Sequence, residues 1–208
     1  MAEQLRLDEG SLTEQELREA ADVSSRAFYD DSYFRFLFPN DDVRARILPK
    51  IFYTQLKHLG PHGKVVTARN ERGAIVGVGA WMPPNSFPPS LRVQLAQLPG
   101  SLRAFSRQLG ALRVVGAYLR TLLKAHPKEP HWYLMLLAVD PEAQRRGAGS
   151  IMMQPGLQWS DAEGVGGYLE TQKEDNLAYY RRFGFELAET LRPLAGGPPY
   201  YTMWRPVS

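Results

Sequence analysis

The nine residues His131-Trp-Tyr-Leu-Met-Leu-Leu-Ala-Val139 constrain the fold more than any other stretch of this chain. They are apolar at nearly every position and lack the apolar–polar alternation of a strand that faces water. The run therefore reads as a central strand buried on both faces. Asp140–Pro141 ends it, and the chain turns through Glu-Ala-Gln-Arg-Arg-Gly-Ala-Gly149 into a helix from Ser150 to about Glu163. A buried strand, a glycine turn and a helix, in that order, belong to a sheet covered by helices.

The flanking segments extend this reading. Thr13 and Glu16 form a capping box ahead of apolar positions Leu17, Ala20, Ala21, Val23, Ala27 and Phe28, so a first helix ends near Tyr29. Residues 30–40 (DDSYFRFLFPN) read as a loop dense in aromatics. A second helix runs from Asn40 or Asp41 to about Leu59, where Gly60–Pro61 stops it. Lys64–Ala68 and Ala74–Met82 read as two strands joined by a turn. Beyond two proline pairs, Leu102, Phe105, Leu109, Leu112, Gly116, Leu119 and Leu123 recur at helical spacing, the stripe of an amphipathic helix packed on a core. After Glu163, a strand at Tyr168–Thr171, a helix at Asn176–Phe183 and closing strands at Phe185–Thr190 and Tyr200–Arg205 are expected. The order is that of an α/β (α+β) fold around a mixed sheet.

The chain has 208 residues and no cysteine, which excludes disulfides, thiolate metal sites and a cysteine nucleophile. Its length suits one domain carrying an insertion. The first residues have no apolar core of the kind a signal peptide needs, and no apolar run reaches the ~18 residues of a membrane span. The expectation is a cytoplasmic protein with no membrane partner. Net charge is +3, but it is unevenly spread: residues 1–31 hold nine acidic and three basic side chains. Residues 83–128 hold seven Lys/Arg and no acid, without the dense clusters of a nucleic-acid footprint, so no nucleic acid is expected. The histidines at 58, 62, 126 and 131 form no metal-ligand spacing, and no metal is expected.

Glycine at 147 and 149 lets main chain approach a ligand closely, and successive amides at a helix start form an anion site. Arg145 and Arg146 add charge beside it, and a pyrophosphate would fit. Two further segments follow in order: Tyr-Leu-Glu-Thr171, then Asn176-x-x-x-Tyr180-x-x-x-Gly184-Phe185. Together with Gln144-x-x-Gly-x-Gly149 they resemble the GNAT superfamily of acyl-CoA N-acyltransferases. Residues 126–206 also resemble puromycin N-acetyltransferase and its actinobacterial relatives, including Pro155 inside the helix after the turn.

The resemblance implies a single GNAT domain over residues 1–208, with a mostly antiparallel sheet and a helical insertion at about 88–126. It implies acetyl-CoA as co-substrate. Leu137, Ala138 and Val139 would pair with the pantetheine arm, and Gln144, Arg145, Arg146, Gly147, Ala148, Gly149 and Ser150 would wrap the pyrophosphate. Asn176 would bond the pantetheine, with Tyr179 beside it. Tyr180 matches the tyrosine that protonates the leaving thiolate, a reasonable role for a phenol. Where relatives carry a second asparagine, this chain has Lys173. An ammonium acceptor must lose a proton before it can attack, and Glu170 is the candidate base. Tyr29, Asp30, Asp31, Tyr33 and Phe34 could hold a cationic amine by charge and ring face. The expected reaction is direct acetyl transfer to a small-molecule primary amine, aminonucleoside-like or a metabolite, by a monomer or homodimer. A protein N-terminus or lysine as acceptor, or a non-catalytic acyl-CoA-binding module, is the alternative.

Overall fold

The computed structural model describes residues 5–90, 92, 95 and 109–207. Its strands are β1 (Arg6–Glu9), β2 (Lys64–Arg69), β3 (Ile75–Met82), β4 (His131–Val139), β5 (Gly166–Thr171), β6 (Glu186–Leu191) and β7 (Tyr200–Arg205). The helices are α1 (Glu14–Ala27), α2 (Ser32–Leu37), α3 (Asp41–Leu59), α4 (Leu109–Ala125), α5 (Ala148–Glu163) and α6 (Asp175–Arg181). One seven-stranded sheet runs β1-β2-β3-β4-β5-β7-β6, antiparallel at every pairing except β4–β5. Among the described residues no helix is long and apolar enough to cross a membrane.

β4 is central and buried on both faces, as its composition requires. A β-bulge divides it. Ala80 faces Leu136 while Trp81 faces Leu134, so Met135 is the extra residue. The bulge reverses the alternation. Trp132 and Leu134 pack with α5, whereas Leu136 and Ala138 pack beneath α1 and α3. Leu137 and Val139 return to the α5 side. Two cores thus lie on opposite faces of one strand.

Three expectations need correction. The aromatic segment after Tyr29 is not a plain loop, because Asp31 caps α2 by accepting the Tyr33 amide at 2.9 Å. It is anchored by Arg44, which is fully buried and donates to the carbonyls of Tyr29 and Phe38 at 2.7 and 2.9 Å. β1 was not anticipated: its four residues, flanked by charges, carry too little pattern and gain their order from pairing with β2. In α4 the stripe expected inward is rotated. Leu112, Leu119 and Leu123 are exposed, while Ala111, Tyr118 and Val114 pack inward. The apolar arc of α4, opposite Arg113, Arg120 and Lys124, is wide enough to hold both sets, so periodicity alone could not choose between its two edges. Tyr118 decides it, donating to the Pro198 carbonyl at 2.8 Å and stacking on Tyr33 and Tyr200. The expected helix positions Leu102 and Phe105 lie outside the described residues.

Candidate active site

The turn after β4 is held from both ends. Gln144 Nε2 donates to the Val139 carbonyl at 3.2 Å. Asp140 accepts the Glu142 amide at 3.1 Å and Arg26 Nε of α1 at 2.8 Å. α5 then starts from Gly147, whose φ of +92° is left-handed, and no side chain caps it. The first-turn amides therefore keep their hydrogen-bonding capacity for a ligand, with the helix dipole behind them. A Cβ on Gly149 would fall 2.7 Å from the Tyr179 hydroxyl. That hydroxyl is buried near Ser150 and makes no well-aligned hydrogen bond among the described residues. Uncapped amides beneath a buried hydroxyl with hydrogen-bonding capacity to spare fit the oxygen-rich pyrophosphate of a coenzyme A ester.

From this turn a cleft of about 1090 Å³ runs along the sheet. Its opening is a consequence of strand geometry. β4 and β5 pair in parallel only from His131–Gly166 to Leu134–Leu169. Beyond that they part, and the β4 edge from Met135 to Val139 leaves the ladder on this side. Leu137 and Val139 line the gap, with Asn176 and Tyr180 of α6 across it. Asn176 Nδ2 donates to Thr171 Oγ1 at 2.9 Å, which fixes the start of α6 on the end of β5. Burial raises the Tyr180 phenol, which keeps it protonated and able to donate at neutral pH.

Glu170 sits at the cleft floor on the last turn of β5's pleat, partly open to the cleft and otherwise enclosed by protein. Desolvation pushes its carboxyl up to about 7, against the opposing effect of the nearby Tyr133 and Tyr168 hydroxyls. A carboxyl of that pKa exchanges protons readily at neutral pH, as a general base must.

The acceptor end is walled by rings. Phe28, Phe34 and Phe52 stack edge-on or tilted, with centroids 5.4–6.0 Å apart. Tyr33, Tyr118 and Tyr200 form a second cluster. Asp31 is almost fully buried at this wall, and burial raises its pKa against the Tyr33 amide and the charge of Lys173.

The cleft thus brings together Leu137, Val139, Gln144, Arg145, Gly147, Gly149, Ser150, Asn176, Tyr179, Tyr180 and Glu170 with Asp31, Tyr33 and Phe34. It leaves out five other candidates. Asp30 is exposed and ion-paired with Arg35 at 3.2 Å. Tyr29 lies under the Arg44 guanidinium and donates to the Asp41 carbonyl. Arg146 is exposed outside the lining, Ala148 is packed into the core, and Ala138 points to the opposite face of β4 from Leu137. Sequence reading missed Tyr133, Tyr168 and Tyr200 around Glu170. Period-two spacing in YLET and HWYL was the available signal for the first two; Tyr200 carried none. No cluster of three His, Asp or Glu among the described residues could hold a metal ion.

A model of the acetyltransferase (GNAT) family matches residues 26–185. The fold is similar to that of a Corynebacterium glutamicum protein described as histone acetyltransferase HPA2 and related acetyltransferase. The two are 24% identical over 100% of this chain and 98% of that one, with a TM-score of 0.73. It is also similar to arylalkylamine N-acetyltransferase 2 of Aedes aegypti, at 9% identity over 98% and 100% of the chains and TM-score 0.57. The ribosomal-protein-S18-alanine N-acetyltransferase of Escherichia coli matches at 17% identity over 98% and 95%, with TM-score 0.54. The last two differ, by name, in acceptor: an arylalkylamine and a protein alanine.

Proposed function

The chain belongs to the acetyltransferase (GNAT) family, whose co-substrate is acetyl-CoA, and from that premise we propose that it acetylates the primary amine of a small, ring-bearing molecule. The observation that carries the reading is Glu170: a carboxyl with a pKa of about 7 on the floor of an aromatic-walled cleft, beside the parted edge of β4. An ammonium has no lone pair, and a base of this strength can remove its proton at neutral pH. The freed nitrogen attacks the thioester directly, since the chain has no cysteine to form an acyl-enzyme.

Each neighbouring group has one role in this reading. The amides of the turn from Gln144 to Ser150 hold the pyrophosphate, and the open edge at Leu137–Val139 aligns the pantetheine. The Val139 amide faces the oxygen that gains charge as the nitrogen adds. Tyr180 gives its phenol proton to the departing thiolate. Asp31, with Tyr33 and Phe34, orients the acceptor. Residues 88–126 act as an insertion within a single catalytic domain, and α4 closes the cleft with Val115, Leu119 and Leu122. That enclosure favours a small amine, of the aminonucleoside-like kind met by the relatives the sequence resembles, over a polypeptide.

The test is a library of primary amines offered with acetyl-CoA and read by release of free thiol. Turnover is expected with rigid aromatic amines and not with their neutral alcohol analogues. Turnover only with peptides would replace the small-molecule reading with a protein acceptor. Tight acetyl-CoA binding without any turnover would mark a binding module.

A further inference from the structure

Behind Glu170 a file of polar rings continues away from the cleft. Tyr168 precedes Glu170 by two residues on β5, so both face the same side, with Cα atoms ~6.6 Å apart at strand rise. Tyr133 is the register partner of Tyr168, and His131 lies two residues before Tyr133 on β4. His126, just past α4, covers this file. Its ring centroid lies 5.2 Å from Tyr133, 4.9 Å from Tyr168 and 4.8 Å from His131.

The hydrogen bonds of the two histidines fix their tautomers. His131 Nδ1 lies 2.6 Å from the Glu129 carbonyl, which can only accept, so Nδ1 carries the proton. His131 Nε2 must then accept from His126 Nε2–H across 3.2 Å. This leaves His126 Nδ1 with a free lone pair, buried and without a partner among the described residues. The buried Tyr168 hydroxyl lies close enough to Glu170 to lower that carboxyl's pKa against the effect of burial, but makes no well-aligned hydrogen bond among the described residues. A donor and an acceptor thus share a cluster with the cleft carboxyl; they do not hydrogen-bond each other at rest, so a small ring rotation or a bridging water must join them for transfer. Beyond them opens a second cavity of about 320 Å³, lined by His126, His131, Asn85, Lys124, Lys128 and Glu129. Tyr133 and Phe87 line both cavities.

Proton balance gives this file a task. An ammonium that becomes an amide loses two protons; the thiolate takes one, and one must leave the protein in each turnover. With two substrates in the cleft, the carboxyl on its floor has little direct access to solvent. We propose that Tyr168 and the His126–His131 pair carry this proton from Glu170 to the second cavity, an inference that rests on Glu170 being the acceptor's base. The protonated carboxyl donates to the Tyr168 oxygen as the Tyr168 hydroxyl gives its own proton to His126 Nδ1. The imidazolium so formed, sharing charge with His131, loses a proton to solvent in the second cavity. Tyr168 ends neutral and Glu170 is again a carboxylate. Burial holds the His126 imidazole down to about 4 and lowers His131 as well, so the pair passes a proton on and does not store it. The charges facing the file are Lys124, Lys128 and Glu129 at the second cavity and Glu189 near Tyr168.

The experiment compares wild type, His126→Ala, Tyr168→Phe and Glu170→Gln with one good amine. In His126→Ala and Tyr168→Phe, kcat should fall at least tenfold while KM for both substrates stays within about twofold. Added imidazole should restore His126→Ala, because the second cavity adjoins the vacated space, and should not restore Glu170→Gln. In the resting protein, Glu170→Gln should shift the ring ¹⁵N resonances of His126. Tyr168→Phe keeps the ring and its packing, so wild-type kcat in that variant overturns the route. A loss in His126→Ala that imidazole cannot restore also overturns it, because packing alone would then explain the loss. If Glu170→Gln turns over normally, the base assignment itself fails; if it is inactive while His126→Ala is normal, only the route fails.

Discussion

The two walls of the cleft are built from different material. The wall of β4, the glycine turn and α5 offers backbone: the β4 edge beyond Leu134, and uncapped amides after Gly147. The wall of α1, α2, α3 and α4 offers side chains: the Phe28–Phe34–Phe52 cluster, Tyr33 against Tyr118, and the buried Asp31. In the proposed reading the backbone wall recognises what every acyl-CoA has in common and tolerates change in most side chains. A side-chain wall can be rebuilt for another acceptor without disturbing it. Glu170 stands between them.

Glu170→Gln tests the junction and carries the largest expected effect. Turnover should fall by ~10²–10⁴-fold, the scale of a positioned acid–base group, while acetyl-CoA binding by calorimetry stays unchanged. The same variant should be more stable than wild type at pH 8. The folded-state pKa is raised, so the stability this group contributes is complete below about 4.5 and is lost as pH rises through about 7. A shift of that size corresponds to about 3 kcal/mol, and urea unfolding at pH 5 and pH 8 reads it. An active variant would put the base in one wall or the other.

Tyr180→Phe should lower turnover by ~10²-fold with folding and acetyl-CoA binding intact. Full activity would move the proton donor to Tyr179, whose hydroxyl is buried beside the glycine turn.

Gly149→Ala attacks the backbone wall alone. Its Cβ must displace the Tyr179 hydroxyl, and acetyl-CoA should bind at least tenfold more weakly, about 1.4 kcal/mol. Gly147→Val should do the same, because valine resists a φ of +92°. Unchanged titration isotherms in both would remove the turn from the site.

Asp31→Asn attacks the side-chain wall alone and sharpens the comparison most finely. Asparagine caps a helix as well as aspartate, so α2 should persist. The acceptor KM should rise several-fold, about 1 kcal/mol, with kcat little changed. Asp30→Asn should leave KM within about twofold, since Asp30 is an exposed partner of Arg35. Steady-state kinetics with both variants decide which aspartate meets the amine.

The same division explains what the sequence made legible. The bounds of β4 could be read from a nine-residue run that is almost wholly apolar, and the glycine turn from two glycines and its neighbours, because a backbone site is encoded locally. The side-chain wall is assembled from positions far apart in the chain. Tyr33 meets Tyr118 and Tyr200, and no local period announces that meeting. Asp30 and Asp31 look alike as neighbours in sequence. Only the helix that Asp31 caps, and the buried Arg44 that anchors the segment, turn one inward and leave the other in solvent. The rotated face of α4 has the same origin: its wide apolar arc left the choice to Tyr118 and distant partners.

The central claim is that a buried carboxyl between a backbone wall and an aromatic wall deprotonates the acceptor. The pH dependence of kcat for one good amine, read by thiol release from pH 5 to 9, tests it most directly. Turnover should rise tenfold per unit at low pH, bend near 7 as the Glu170 carboxyl loses its proton, and level off above. In Glu170→Gln that bend should vanish along with most of the rate. A wild-type profile that stays flat from pH 5 to 9, or an unaltered bend near 7 in the variant, would contradict the account.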